Sequence, residues 1–328
     1  MTFWIPAPGR NDEEGGSALA WITEIYTMTI FASGLGFPEA PVLLPDGNFL
    51  FTEMSPDTGC VTWISKDGQS RRRVAHTGRP NGLAQDADGC IWVAETAQKA
   101  LVKLTLEGHQ EAFAKAGKAQ PFLFLNDLAF APNGDLYLTD SGIEVEEFAP
   151  GGALNPDWEN LKYDGRVYRV DVKSAKVKSA AMKSGEVETI DQGIRFTNGI
   201  AFGPDQNLYV AETLEGLIHR YEWRDGRTTG KKEVFGNVIN PAAAPGIKGP
   251  DGMKFGADGN LYVAVFGQGD ITVLDPKGKV VRRIEVGGIY PTNLVFGPAG
   301  EQSIYVTEAA TGTVRKLHVG TDGFPLFK

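Results

Sequence analysis

The chain has 328 residues, a formal net charge of −9 and a sequence pI of about 5.1. An acidic chain without a basic block lacks the electrostatic footprint of proteins that bind nucleic acids or anionic membrane surfaces. Its two cysteines, Cys60 and Cys90, are too few for a disulfide framework and do not have metal-ligand spacing. No apolar run approaches the roughly 18–20 residues that a transmembrane helix needs. We therefore expect neither a nucleic-acid partner nor a membrane partner.

Residues 1–27 fit none of the repeats that follow them. The segment PAPGRNDEEGGS indicates a flexible extension, either native or upstream of a start at Met28. It has no basic n-region, and it carries three acidic residues where a signal peptide would be apolar. The sequence therefore predicts a cytoplasmic protein with one folded domain over residues 28–328.

A repeated unit begins at Gly36 and occurs six times. Each copy has a polar residue, a short apolar run, a tight turn and a second apolar run, the pattern of an antiparallel hairpin. The copies are GFPEAPVLLPDGNFLFTE, RPNGLAQDADGCIWVAET, FLNDLAFAPNGDLYLTDS, FTNGIAFGPDQNLYVAET, GPDGMKFGADGNLYVAVF and YPTNLVFGPAGEQSIYVTEA, starting at Gly36, Arg79, Phe124, Phe196, Gly249 and Tyr290.

The spacing of these copies indicates the fold class. The key polar residues of successive copies lie 42 to 72 residues apart, and a propeller blade is roughly 40–50 residues long. We predict an all-β protein, a six-bladed β-propeller with four-stranded antiparallel blades. The run MTIFASG from Met28 resembles a strand, and we expect it to complete the last blade. The basic run Arg71–Arg73 is expected between blades, on a solvated face.

Two polar positions recur in the copies. The first, here called the first ring, comprises Glu39, Asn81, Asn126, Asn198, Asp251 and Asn293. The second ring lies fourteen residues further on and comprises Glu53, Glu95, Asp140 and Glu212, with Val265 in the fifth copy and Glu308 after a one-residue insertion in the last. A turn midway would place the two positions opposite each other at the open end of each hairpin. Six such ends around an axis predict a polar cup.

The first ring offers an oxygen-only ligand set. Asp251 and Glu39 are its carboxylates, and the amides of Asn198 and Asn126 would add neutral oxygens. Such ligands suit hard divalent cations, and calcium fits best because it tolerates irregular coordination; Zn²⁺, Mg²⁺ and Mn²⁺ are alternatives. Asn-Gly and Asp-Gly pairs also form simple turns, but Glu39 does not precede a glycine.

Blade 3 contains a long excursion over residues 141–164. Loops of this length in compact domains are usually functional. We expect it to cover the cup and to shape a partly apolar pocket with Phe122 and Phe124, while Trp158 flanks the mouth. The chain has no G-x-S-x-G motif with a partnered histidine, so no serine nucleophile is predicted.

Four motifs resemble a known family. They are GFPEAPV around Glu39, FLNDLAF around Asn126, FTNGIAF around Asn198 and GPDGMKFGADGNLYVAVF around Asp251. Over residues 30–318 the chain is similar to the senescence-marker-protein, gluconolactonase and luciferin-regenerating-enzyme group of six-bladed propeller hydrolases.

This resemblance implies a metal-dependent lactonase. The equivalents of Glu39, Asn198 and Asp251 bind one divalent cation in the family, and that of Asn126 completes the coordination or contacts substrate. Asp251 would act as base or nucleophile, while the cation would serve as a Lewis acid.

The resemblance also implies the residues around the substrate, a small-molecule lactone or ester. Asn81 and Asn126 would orient it, and Asp140 and Glu212 would support the ligands from behind. Sugar-lactone members carry an arginine where this chain has Phe124, so a less polar lactone or ester is expected. Alternatives are a phosphotriesterase-like hydrolase on the same metal and a non-enzymatic calcium-binding or interaction propeller. The sequence is compatible with a monomer or a small homo-oligomer.

Overall fold

The computed structural model describes residues 28–116, 120–172 and 187–328. The predicted flexible extension, residues 1–27, lies outside the described residues. Within these ranges no helix is long and apolar enough to span a membrane.

The described strands form six four-stranded antiparallel sheets. Blade 1 contains β2 (Pro38–Leu43), β3 (Phe49–Glu53), β4 (Cys60–Ile64) and β5 (Arg71–His76). Blade 2 contains β6 (Pro80–Gln85), β7 (Ile91–Glu95), β8 (Ala100–Leu104) and β9 (Gln110–Ala114). Blade 3 contains β10 (Leu125–Phe130), β11 (Leu136–Asp140), β12 (Gly165–Val170) and β13 (Val187–Ile194).

The remaining blades have the same order of strands. Blade 4 contains β14 (Thr197–Phe202), β15 (Leu208–Glu212), β16 (Leu217–Arg224) and β17 (Arg227–Asn237). Blade 5 contains β18 (Gly249–Phe255), β19 (Leu261–Phe266), β20 (Asp270–Leu274) and β21 (Val280–Glu285). Blade 6 contains β22 (Pro291–Phe296), β23 (Ser303–Glu308), β24 (Thr313–His318) and β1 (Met28–Ser33).

Both ends of the described chain therefore contribute to blade 6. Strand β1 pairs antiparallel with β24, from Met28 opposite Leu317 to Ser33 opposite Thr313. The innermost strands of successive blades contact one another around the ring, and β22 contacts β2 to close it. The predicted all-β, six-bladed propeller is confirmed, as is its closure by the strand that begins at Met28.

The excursion of blade 3 contains the only α-helix of the described residues, α1 (Val145–Phe148), and two 3₁₀ turns, Pro150–Gly152 and Trp158–Asn160. A third 3₁₀ turn, Thr213–Glu215, follows β15.

The two inner strands of each blade are buried, whereas the outermost strands face solvent. Every residue of β3 is buried, and the side chains of Arg71, Arg72 and Arg73 in β5 are exposed. The expectation that Arg71–Arg73 lies between blades is wrong, because these residues form the outer edge strand of blade 1; their solvated position is confirmed. Charged side chains on such an edge discourage pairing with another chain.

The C-terminal tail crosses one end of the channel. Its residue Phe324 donates its N–H to the Phe255 carbonyl at 2.9 Å, and Gly323 bridges to Gly256. Phe327 packs on Phe202 of blade 4, with ring centroids 6.4 Å apart. The tail lines one cavity together with the later residues of the innermost strands in blades 1–5. It therefore covers the end of the channel opposite to the first ring, whose residues stand near the start of those strands.

Candidate active site

A β-bulge marks the first-ring position in the innermost strands. In blade 2, Pro80 pairs with Glu95 and Leu83 with Val93, so two inner residues oppose one outer residue. Blades 3, 4 and 5 show the same interruption, from Leu125 to Leu128, Thr197 to Ile200 and Pro250 to Met253. Bulges are common beside active sites because they re-aim side chains. In these four blades, each bulge displaces the first-ring residue and its successor. In blade 1, Glu39 pairs with Thr52 and the bulge follows it.

The bulge shifts the expected pairing of the two rings by one residue. The second-ring residue Asp140 pairs with Leu125 rather than Asn126, and Glu212 pairs with Thr197 rather than Asn198. Since neighbouring strand residues point to opposite faces, the second ring does not share the face of the first. The prediction that the two rings face each other is therefore wrong, because the spacing did not count the extra residue.

The second-ring carboxylates instead hold the loops that enter each blade. Asp140 accepts N–H bonds from Leu123 at 2.8 Å, Phe124 at 3.0 Å and Gly142 at 2.9 Å. Burial raises the pKa of Asp140, and these N–H groups oppose the increase.

Glu212 makes the corresponding contacts in blade 4. It accepts the Arg195 N–H at 2.7 Å and lies 2.6 Å from the His219 Nε2. Burial raises its pKa, but the bonds from His219 and Arg195 outweigh burial and lower it. Both carboxylates therefore stabilise the loops next to them and do not lie in the cup.

Three carboxylates converge in the channel. Glu39, Asp251 and Asp127 are buried, with exposed fractions of 5%, 6% and 3%. Burial raises the pKa of Asp251 well above its usual value, and the charges of Glu39 and Asp127 raise it further. The pKa of Glu39 rises to about 8 through burial, opposed by the Ala40 N–H and reinforced by Asp127. The site thus brings three acidic groups together in a buried place, where the positive charge of Lys254 opposes the increase in pKa of Glu39 and Asp127.

Asparagine amides connect these carboxylates. Asn198 hydrogen-bonds Asp251, and Asn293 contacts both Glu39 and Asp127. The glycine after Asp251 permits this approach, because a Cβ on Gly252 would lie 2.0–2.4 Å from the Asn293 amide atoms. The glycines of the Asn-Gly and Asp-Gly pairs thus lie in bulged strands, where two innermost strands meet, and the simple-turn reading of these pairs is wrong.

The remaining first-ring asparagines are also buried. Asn126 donates its amide N–H to the Ser141 Oγ at 3.0 Å, which directs the amide oxygen away from that hydroxyl. The backbone carbonyl of Asn81 accepts the Thr52 hydroxyl of the preceding blade at 2.7 Å. The same bond joins Thr139 to the Asn198 carbonyl at 2.6 Å. Hydroxyl groups between blades therefore fix the backbone of the bulges.

Asp127 was missed by the sequence argument. It stands where three other copies have glycine, namely Gly82, Gly199 and Gly252. Its Oδ1 accepts the Leu128 N–H at 2.8 Å, while its buried Oδ2 has no well-formed hydrogen bond among the described residues. A carboxylate at a glycine position was the available signal.

Asn293 matches Asp127 rather than Asn126. The N–H groups of Asp127 and Asn293 donate to Thr139 and Thr307 at 3.0 and 2.9 Å, and each side chain accepts the next residue's N–H. Thr292 therefore occupies the first-ring position of blade 6. The assignment of Asn293 to the first ring is wrong by one residue.

The mouth of the cup is apolar on the side of the excursion. Phe124 is buried, with its ring centroid 5.7 Å from Phe196 and 6.4 Å from Phe148 of the excursion. Met54, Ile143, Val145, Leu161, Tyr163 and Leu214 complete this cluster. Phe122 is fully buried against Tyr168 in the core of blade 3, so its expected place in the pocket is wrong.

The donors suit a hard divalent cation. No three His, Cys, Asp or Glu side chains of the described ranges come together closely enough to hold a metal alone, so a cation would also need amide oxygens. Clustered carboxylates with raised pKa values and the unsatisfied Oδ2 of Asp127 are groups that a bound cation would stabilise. The residues therefore fit the oxygen-ligand set predicted from the sequence.

The fold and the cup define a six-bladed propeller with a carboxylate and amide centre at one end of its channel. Residues 107–310, more than half of the chain, match the family described as the SMP-30/Gluconolactonase/LRE-like region. The chain belongs to this family, and the resemblance seen in the sequence is confirmed.

Similar proteins extend over most of the chain. A gluconolactonase of Zymomonas mobilis is 26% identical over 90% of this chain and 82% of its own length. A diisopropyl-fluorophosphatase of Loligo vulgaris is 29% identical over 85% and 82%. The crystal structure of a calcium-binding protein, regucalcin, from Agrobacterium tumefaciens has a TM-score of 0.72 at 20% identity, covering 92% of this chain and 98% of that one. This last likeness is one of fold.

Proposed function

We propose that this protein hydrolyses a lactone at the cup, with a divalent cation, preferably calcium, held by Glu39, Asn198, Asp251 and Asn126. The observation that carries the proposal is the convergence of Glu39 and Asp251, buried and raised in pKa by burial and by neighbouring charge. The similarity to a gluconolactonase over most of both chains supports the reaction class.

The bound cation would polarise the lactone carbonyl and stabilise the negative charge that develops on its oxygen. Asp251 accepts a proton from water, and the water oxygen forms a bond to the carbonyl carbon. The ring C–O bond then breaks, and the leaving alkoxide takes up the proton that Asp251 holds. Burial and the Glu39 and Asp127 charges raise the pKa of Asp251 in the cation-free site, and a bound cation would lower it again, which leaves Asp251 a modest base.

The residues around the cup orient the substrate. The amides of Asn81 and Asn126 offer hydrogen bonds to its polar edge, and the cluster around Phe124 contacts its apolar part. Phe124 is committed to this cluster, which favours a lactone or ester of low polarity. Asp140 and Glu212 act indirectly, by fixing the loops before Phe124 and Phe196.

A phosphotriesterase-like reaction is the second candidate. The similarity to a diisopropyl-fluorophosphatase over 85% of this chain favours it. A cup that stabilises charge on a carbonyl oxygen could act in the same way on a phosphoryl oxygen.

A substrate panel with and without chelator tests the proposal. We expect hydrolysis of aromatic or aliphatic lactones, loss of activity in excess EDTA and recovery on addition of calcium. Gluconolactone should be a poorer substrate than a less polar lactone. Activity on organophosphate esters alone would favour the second candidate, and activity on neither class would favour a binding module. Chelator-resistant lactone hydrolysis would contradict the role of the cation.

A further inference from the structure

The residue that enters each innermost strand forms a ring around the mouth of the cup. In each repeat this residue stands two before the first-ring position. Its carbonyl accepts an N–H from the residue after the second-ring position at 2.9–3.0 Å in blades 1, 2, 3, 4 and 6. The shared hydrogen bond shows that these residues are equivalent in position. We call this set the mouth ring: Phe37, Arg79, Phe124, Phe196, Gly249 and Tyr290.

Most of the mouth ring is aromatic. Phe124 and Phe196 pack against Phe148 of the excursion, and Tyr290 stacks on Phe266 at 4.5 Å. Phe37 and Phe196 have positive φ angles of 54° and 66°. Bulky residues rarely adopt this conformation, and strain of this kind clusters at functional sites. The backbone thus pays a conformational cost to hold aromatic side chains at the mouth.

Arg79 is the one charged member of the mouth ring, between Phe37 and Phe124 in blade order. It is half-buried, and its buried Nε has no hydrogen-bond partner among the described residues. No ion pair within 4.0 Å joins it to an acid among the described residues.

Two carboxylates face the Arg79 side chain. Glu146 is exposed on α1, and Glu95 is buried beside the Arg79 backbone. The Oε1 of Glu95 accepts N–H groups from Arg79 at 2.8 Å and from Ala97 at 2.8 Å. Burial lowers the pKa of Arg79, and Glu146 and Glu95 raise it. The guanidinium is thus partly desolvated without a close counter-ion.

We propose that Arg79 binds an anionic group of the substrate, so that the substrate class is a lactone with an apolar body and one carboxylate. This inference rests on the proposed lactone hydrolysis. A guanidinium presents a planar fork of donors that matches a carboxylate, and its hydrogen bonds to a charged acceptor are stronger than those to a hydroxyl. The aromatic members of the mouth ring offer a sugar lactone few partners for its hydroxyls.

A matched pair of substrates tests this inference. One is an aromatic lactone with a carboxylate on its ring, and the other is the methyl ester of the same carboxylate. We expect the wild-type protein to have the lower KM for the acid. Arg79→Met keeps the length of the apolar stem and should raise KM for the acid roughly 10–100-fold, the effect of losing a charge-assisted hydrogen bond, with kcat little changed. KM for the ester should not move.

Two further variants separate binding from folding. Arg79→Lys should restore part of the preference for the acid, because it keeps the charge but not the fork. Glu146→Gln removes the exposed opposing carboxylate and should lower KM for the acid without affecting the ester. Equal losses on both substrates in Arg79→Met, or no change in their ratio, would overturn the inference.

A binding measurement keeps the inference distinct from the proposed reaction. Calorimetry with the ring-opened hydroxy acid of the carboxylated lactone requires no turnover. If the wild-type protein hydrolyses neither lactone, the proposed function fails. Weaker binding of this probe to Arg79→Met would still support the anion site, and unchanged binding would contradict it.

Discussion

The two polar rings use the same residue types for different purposes. Asp140 in the second ring accepts three backbone N–H bonds, whereas Asp127 beside the first ring leaves one buried oxygen without a well-formed bond. The pKa of Glu212 is lowered by its partners, and that of Asp251 is raised by burial and by other carboxylates. The comparison shows that the hydrogen-bond partners of a buried carboxylate, rather than its residue type, determine whether it stabilises the fold or is available for chemistry.

The largest expected effect comes from the first ring. In Asp251→Asn, the amide oxygen can still bind a cation, but the side chain can no longer accept a proton from water. Lactone turnover should fall by roughly 10²-fold or more, the range for loss of a general base. Part of the calcium-induced rise in melting temperature should remain, since the variant keeps the other ligands. Steady-state kinetics and thermal unfolding measure the two effects, and wild-type turnover would exclude Asp251 as the proton acceptor.

The pH dependence of stability is the next test. The pKa of Glu39 is raised to about 8, above its usual value of 4.5. The folded state therefore holds a proton that the unfolded chain loses, so the contribution of Glu39 to stability is fully present below pH 4.5 and is lost as pH rises towards 8. In EDTA, unfolding free energy should fall by a few kcal/mol between pH 5 and pH 8, at about 1.4 kcal/mol per unit for one group.

Glu39→Gln provides the control for this pH dependence. The variant has no carboxyl at this position and should show a flatter decline across the same range. Calcium should stabilise the wild-type protein more at pH 8 than at pH 5, because it binds the ionised carboxylates. A wild-type profile as flat as that of Glu39→Gln would contradict the charge convergence. Chemical denaturation at each pH provides the measurement.

The smallest expected effect comes from the second ring. Asp140→Asn leaves the entering loop with a neutral acceptor, and an amide N–H then faces backbone donors. Unfolding free energy should fall by about 2 kcal/mol, because charge-assisted hydrogen bonds are lost while the cost of burying a charge is relieved. At temperatures where the variant is folded, kcat should change much less than in Asp251→Asn. A large loss of kcat without a loss of stability would place Asp140 in the chemistry.

The sequence predicted the propeller well because its signals are local. Alternating apolar residues and Asp/Asn-Gly turns define each hairpin, and the recurrence of the hairpins defines the blades. The first-ring residues Glu39 and Asp251 followed from the same alignment. Their burial and electrostatic contact agree with the expected cup.

The errors arose where a local pattern does not define the register. A bulge adds one residue to the inner strand, which moved Asp140 and Glu212 away from the face expected for them. The same irregularity concealed Asp127, which regular alternation would direct away from Asn126. Phe122 illustrates a second limit of sequence-based prediction. It is close in sequence to the mouth residue Phe124, but its side chain packs in the core of blade 3.

Because of the C-terminal tail, the channel opens at the first-ring end only. Phe324 and Phe327 cover the end opposite to the first ring, where the tail is joined to blade 5 by backbone hydrogen bonds. A molecule that reaches the cup must therefore leave by the opening through which it entered. Substrate and product use the same opening, and a product that stays bound at the mouth ring prevents the next substrate from binding. Inhibition by the ring-opened product should accordingly be competitive.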